Sequence, residues 1–148
     1  MEPLHSTEAV VRAIREAAAE RGHDIQVTHD IGADQTSRRT AADIGATTDP
    51  DGSLPHEAHV EVSGSPRLEI QVFPEDDVKI TVEGVEFHDI PRDDVPAFLT
   101  SLYNGVAYVK GRFFPPGWWL LVPLPGDRTY KELIATDLLT PWLSGRVR

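Results

Sequence analysis

Three histidines of this 148-residue chain are each followed by an aspartate, at His23-Asp24, His29-Asp30 and His88-Asp89, and His56 and His59 lie between the second and third of them in sequence. Imidazole beside carboxylate is the material of metal ligation and of acid–base work. The spacing suits neither, because neighbours in an extended chain diverge and no HExxH interval places two imidazoles on one helical face. Cysteine is absent, which excludes disulfides, thiolate nucleophiles and cysteine metal sites together. Ser53, Ser63, Ser65 and Ser144 have glycine neighbours, but in turn-like or tail stretches and not in a GxSxG elbow. The DPDG at 49–52 reads as a turn, since its glycine comes too early for a calcium loop. Glu75, Asp76 and Asp77 offer paired carboxylates, but at a hairpin tip they are solvated and poorly placed for general acid work. The residues therefore predict no catalytic group, no metal site and no cofactor. The alternative they leave is a small-molecule binder or minor enzyme using His29, His56 or His59 beside a long loop at 30–57.

The elements that would position any site fit one domain over residues 1–148. An apolar fraction of 40%, a charged fraction of 26% and a mean hydropathy of -0.29 are ordinary for a globular chain. The opening MEPLHSTEAVV lacks the basic flank and apolar run of a secretory signal, so cytoplasmic residence is the expectation. Net charge is -10 and unevenly placed: residues 1–105 hold 21 acids against 8 bases, and residues 106–148 hold 3 acids against 6 bases. A field dominated by carboxylates repels phosphate backbones and anionic lipid, which argues against nucleic-acid and membrane partners and for a basic protein partner.

Residues 7–21 have the pattern of a helix, with Ser6 or Thr7 as N-cap, a stripe of Val10, Ile14 and Ala17/Ala18, and Gly22 just past the end. IQVTH at 25–29 alternates as a short strand. Only Ile31, Ile44 and Leu54 are larger apolar residues in the 30–57 stretch, which reads as a long loop, partly disordered or with a helical turn at 40–45. From residue 58 three runs alternate with period two. Pairing 62 with 68, 60 with 70, 72 with 78 and 70 with 80 gathers Val60, Val62, Leu68, Ile70, Val72, Val78, Ile80 and Val82 on one face. Glu83-Gly84 as a two-residue turn sets Val82 opposite Val85 and Ile80 opposite Phe87; a bulge at Gly84 is the competing reading. Glu61, Glu69, Gln71, Lys79, Thr81 and Glu86 are left on a wet, acidic face. A helix follows from Asp93 or Asp94 to Asn104, burying Val95, Phe98, Leu99 and Leu102.

VAYVKGRFF and WWLLVPL flank Pro115-Pro116-Gly117, which reads as a three-residue hairpin loop pairing 114 with 118. That register buries Ala107, Val109, Phe113, Trp119 and Leu121. It turns Tyr108, Lys110, Arg112, Phe114, Trp118, Leu120 and Val122 outward, and neighbouring indoles must then part to opposite sides. Beyond Pro125-Gly126-Asp127, Thr129 and Glu132 have the spacing of a capping box, predicting a helix through Leu133, Ile134 and Leu138 with Pro141 as its stop and Trp142 and Leu143 folding back. The fold class is α+β: an antiparallel sheet of about five or six strands with helices on one face, in the order α-β-β-β-α-β-β-α.

That order, carried by TEAVVRAIREAAAER, HVEVSGSPRLEIQVFPEDDVKITV, DDVPAFLTSLYN, VAYVKGRFFPPGWWLLVPL and TYKELIATDLL, resembles the type III secretion chaperones and their non-secretion relatives. The resemblance implies a non-enzymatic, dimeric protein that holds a segment of a partner polypeptide against apolar patches. The expected function is a chaperone- or adaptor-like module whose partner-binding residues are Tyr108, Phe114, Trp118 and Leu120, bordered by Glu61, Glu69 and Glu86. An immunity or inhibitor protein neutralising a basic toxin is the alternative of the same class.

Overall fold

The computed structural model describes residues 6–29, 57–74, 77–113, 115–134 and 139–148. The 30–56 stretch, Glu75, Asp76, Phe114 and Leu138 lie outside them, and with them the expected long loop, its helical turn and the DPDG turn. Helix α1 spans Thr7–Glu20 and begins where Ser6 Oγ accepts the Ala9 amide at 3.0 Å, so serine and not Thr7 is the cap. Val10, Val11, Ile14 and Ala18 form its buried stripe, and Gly22 takes φ +71, the left-handed conformation that ends a helix without Cβ strain.

Five strands follow as an antiparallel meander: β1 (Ile25–His29), β2 (Ala58–Val62), β3 (Leu68–Val72), β4 (Asp77–Val82) and β5 (Val85–Pro91). IQVTH is the edge strand, paired to β2 through Ile25↔Val62 and Val27↔Val60. The expected registers hold: Val62 faces Leu68, Val60 faces Ile70, Ile70 faces Ile80 and Val72 faces Val78. At Glu83-Gly84 the two-residue turn is the form adopted, with φ +49 and +85 and Val82 opposite Val85. The bulge weighed at Gly84 occurs instead on the far half of β5, where the register slips between Val78 and Ile80 and Asp89 takes φ +57.

A 3-10 turn, Arg92–Asp94, leads into α2 (Val95–Tyr103), whose Val95, Phe98, Leu99 and Leu102 are buried as the spacing requires. Arg92 is itself buried and donates to the carbonyls of Phe73 and Pro74 at 2.9 and 3.2 Å and to Thr7 Oγ1 at 3.3 Å, so one guanidinium ties the ends of β3 and α1. Asp94 occupies the cap position but makes no capping bond. Its carboxylate takes both guanidinium nitrogens of Arg128 at 2.9 Å and the Tyr130 hydroxyl at 2.7 Å.

The last third forms a second, three-stranded antiparallel sheet: β6 (Tyr108–Arg112), β7 (Gly117–Leu124) and β8 (Arg128–Leu133). Here two expectations are corrected. The segment read as a capped helix is β8, because Pro125-Gly126-Asp127, with φ +83 and +59 at its last two residues, folds the chain straight back onto β7 in the Leu124↔Arg128 register. The β6–β7 hairpin pairs Arg112 with Gly117 and Lys110 with Trp119, not 114 with 118. A register offset by an odd number of residues exchanges the two faces of the partner strand. Leu120, Val122 and Leu124 are therefore buried, and Phe113 is 96% exposed. The strand order differs from the expected one accordingly: α-β-β-β-β-β-α-β-β-β-α, in two sheets.

Helix α3 (Pro141–Ser144) opens with Pro141 instead of ending there, capped by Thr140 Oγ1, and buries Trp142 and Leu143. Val109 then exchanges backbone bonds with Arg146 and Arg148 at 2.9 and 3.0 Å, so the chain returns along the edge of β6. Buried residues from both sheets and all three helices form one continuous cluster. At its centre Phe98 meets Phe87 edge-on at 5.2 Å and Tyr130 at 5.8 Å. Among the described residues no helix is long and apolar enough to cross a membrane.

Asp94, Tyr103 and Tyr130 make stability depend on pH at both ends of the scale. Burial raises the Asp94 pKa, but the hydrogen bonds from Arg128 and Tyr130 and the Arg128 charge outweigh it, leaving it below the ordinary 3.8. Its contribution is present above that value and is lost as pH falls through the folded one. Tyr103 is pushed up to about 12 by burial, and Tyr130 to about 12 by burial and by its bond to Asp94. The folded state thus holds phenolic protons that an unfolded chain, with phenols near 10.0, gives up. Stability is intact below pH 10 and declines towards about 12. Urea midpoints measured across that window should fall, and Tyr103→Phe combined with Tyr130→Phe should flatten the decline.

Candidate docking surfaces

Alternation on the five-stranded sheet leaves two polar rows on the face away from the core. One row runs straight across all five strands as Gln26, Glu61, Glu69, Thr81 and Glu86. The next row runs Thr28, His59, Gln71 and Lys79. Glu61 and Glu69 are direct cross-strand partners, an arrangement that costs stability because like charges face each other. Their compensation is slight: His59 Nε2 lies 3.6 Å from Glu61, and Arg67 lies 3.9 Å from Glu69. Glu86 has Lys79 at 3.9 Å and His88 at 3.3 Å. Each of these pairs is partly or largely in water, where an ion pair is worth at most about 1 kcal/mol.

Ligand atoms of His59, Glu61 and Glu69 lie within 4.8 Å of one another, so a cation entering this spot would meet one imidazole and two carboxylates. Beside them is an open hollow of about 490 Å³ bordered by Asp24, Gln26, Ser63 and Arg67. The arrangement can attract and hold positive charge, whether a guanidinium, an ammonium or a divalent ion. None of this was legible in the dipeptides, because the imidazole beside the carboxylates is His59, which shares a face with Glu61 two residues along β2, and strand pairing sets Glu69 opposite Glu61. His23 instead stacks on Tyr103 at 5.5 Å, His88 accompanies Glu86, and the His29 side chain and His56 lie outside the described residues. The hollow nearest His59 on its other side, with Thr28, Glu57 and Gln71, is only about 170 Å³.

The aromatic patch takes a different form from the expected one. Trp118 and Leu120 are on the core side of β7: Leu120 is 0% exposed, and Trp118 is half-buried against the core, its ring lying over Gly111 across the strand pair. These two are withdrawn from the open surface by the hairpin register. Tyr108 does face outward, and Phe114 lies outside the described residues. The indole on the outer face is Trp119, placed between Lys110 of β6 and Leu133 of β8. Lys131 Nζ sits 4.2 Å from its ring centre and the Arg112 guanidinium 5.3 Å, while Arg148 covers Tyr108 at 4.9 Å. Contacts of this kind are worth about 0.5 to 1 kcal/mol at exposed sites. Glu61, Glu69 and Glu86 lie on the five-stranded sheet, and Tyr108 and Trp119 on the three-stranded one. No protein-family model, curated protein or solved structure matches the chain, which leaves these two charged faces to carry the functional reading.

Proposed function

We propose that this chain is a non-enzymatic binding protein of chaperone or adaptor type, whose acidic sheet face holds a basic segment of a partner polypeptide. The observation that carries this reading is the Glu61–Glu69 pair, two carboxylates set directly opposite each other on an open sheet face, with Glu86 in the same row. A protein bears that repulsion at little cost only if the face stays in water or receives positive charge, and a lysine or arginine from a partner would turn the penalty into attraction. The net charge of -10 would speed the encounter.

A fluorescent peptide of alternating arginine and leucine provides the probe, read by anisotropy. Glu61→Lys combined with Glu69→Lys should weaken binding about tenfold or more, since two attractive pairs worth about 0.5 to 1 kcal/mol each become repulsive. The result should not change in EDTA. Equal affinity of the variant and the parent would contradict the reading.

A further inference from the structure

The outer face of the β6–β7–β8 sheet has the opposite sign to the rest of the molecule. Lys110, Arg112 and Lys131 surround Trp119, and Arg148 lies over Tyr108. Among the described residues none of these four cations has a carboxylate side chain within ion-pair distance; the pairs present elsewhere involve His59, Arg67, Lys79, His88 and Arg128. The apolar component is also there, with Phe113 96% exposed at the hairpin tip and Leu133 42% exposed beside Trp119. A chain of net charge -10 thus keeps one compact face that is cationic, aromatic and short of anions.

A long polyanion is a poor occupant, because the acidic remainder of the molecule repels it and the cations already occupy the indole surface on which a base would stack. A surface of spaced carboxylates suits the face better, since lysine and arginine can pair with it without leaving the rings. Such a surface is present on the same molecule: the row of Glu61, Glu69 and Glu86 on the five-stranded sheet. We propose that the cationic aromatic face of one copy of this chain docks on the acidic sheet face of a second copy. The proposal goes beyond the binding role above and rests on it for the acidic face.

The contact joins unlike surfaces, so it is heterologous: a pair leaves one acidic face free on one copy and one cationic face free on the other, and further copies can add. This property gives the test. Sedimentation velocity of the full chain over a range of concentration should show a mass that grows past the dimer. Glu61→Gln with Glu69→Gln removes one face, and Lys110→Gln with Lys131→Gln removes the other; all four positions lie on solvated sheet faces. Either double variant alone should associate about tenfold more weakly. An equimolar mixture of the two retains one native contact and should recover pairing while stopping at the dimer. A parent chain that stays monomeric, association indifferent to either pair of substitutions, or a mixture that fails to recover would each overturn the proposal. The arginine-leucine peptide separates the two readings. If the parent binds it and remains monomeric, self-docking fails and the acidic-face role survives; if the parent does not bind it, the acidic-face role fails first.

Discussion

Phe98→Ala should lower the stability of the protein by about 3 to 5 kcal/mol, the cost of deleting a fully packed aromatic ring and leaving a cavity. Phe98 is 0% exposed and belongs to α2, yet it touches Phe87 of the five-stranded sheet and Tyr130 of the three-stranded one. The cavity would therefore open where the two sheets share a core. Tyr130 is held from its other end by Asp94, so the ring cannot move far to fill the space. Chemical denaturation should show the loss as a lower midpoint. Phe98→Leu, which keeps most of the volume, should recover more than half of it.

The adjacent tryptophans should respond unequally. Trp118→Ala removes a half-buried indole that packs on the core and covers Gly111, and should cost about 2 to 3 kcal/mol, the lower range for large-to-small changes because the site is only partly enclosed. Trp119→Ala removes an indole on the open face whose neighbours are Lys131 and Arg112, and should cost less than about 1 kcal/mol. Equal losses at both positions would mean that the hairpin register is not the one described. Trp119→Ala should also weaken self-docking, where Trp118→Ala should not once stability is matched by temperature.

The contrast between these two residues has its origin in how each strand specifies its register. The β2–β5 meander was legible almost residue by residue, because its strands alternate strictly and its turns are short enough to fix register. Val62↔Leu68, Ile70↔Ile80 and Val82↔Val85 all follow from that alternation. In Trp118-Trp119-Leu120-Leu121-Val122 five consecutive large apolar residues remove the alternation, so only the loop could set the register. Pro115-Pro116-Gly117 looked like a three-residue loop, whereas Gly117 is already paired with Arg112 and the connection runs from 113 to 116. Lys110 and Arg112 mark the wet side of β6 in either register, so they do not decide which indole shares it; the Arg112↔Gly117 pairing does. Similarly, Thr129 and Glu132 matched a capping box, but Thr129, Tyr130 and Lys131 continue a hairpin once the Pro125-Gly126-Asp127 turn has reversed the chain. The Asp94–Arg128–Tyr130 cluster joins residues more than thirty positions apart and left no local pattern to read.

If the acidic face is the docking site, positive charge is received on one particular row of one sheet. Backbone amide shifts followed by NMR during titration with the arginine-leucine peptide test it most directly. The largest changes should fall at Gln26, Glu61, Glu69, Thr81 and Glu86, with β7 and β8 unmoved at concentrations where the protein is monomeric. Changes centred on Trp119 and Lys131, or spread evenly over every acidic residue of the chain, would contradict it.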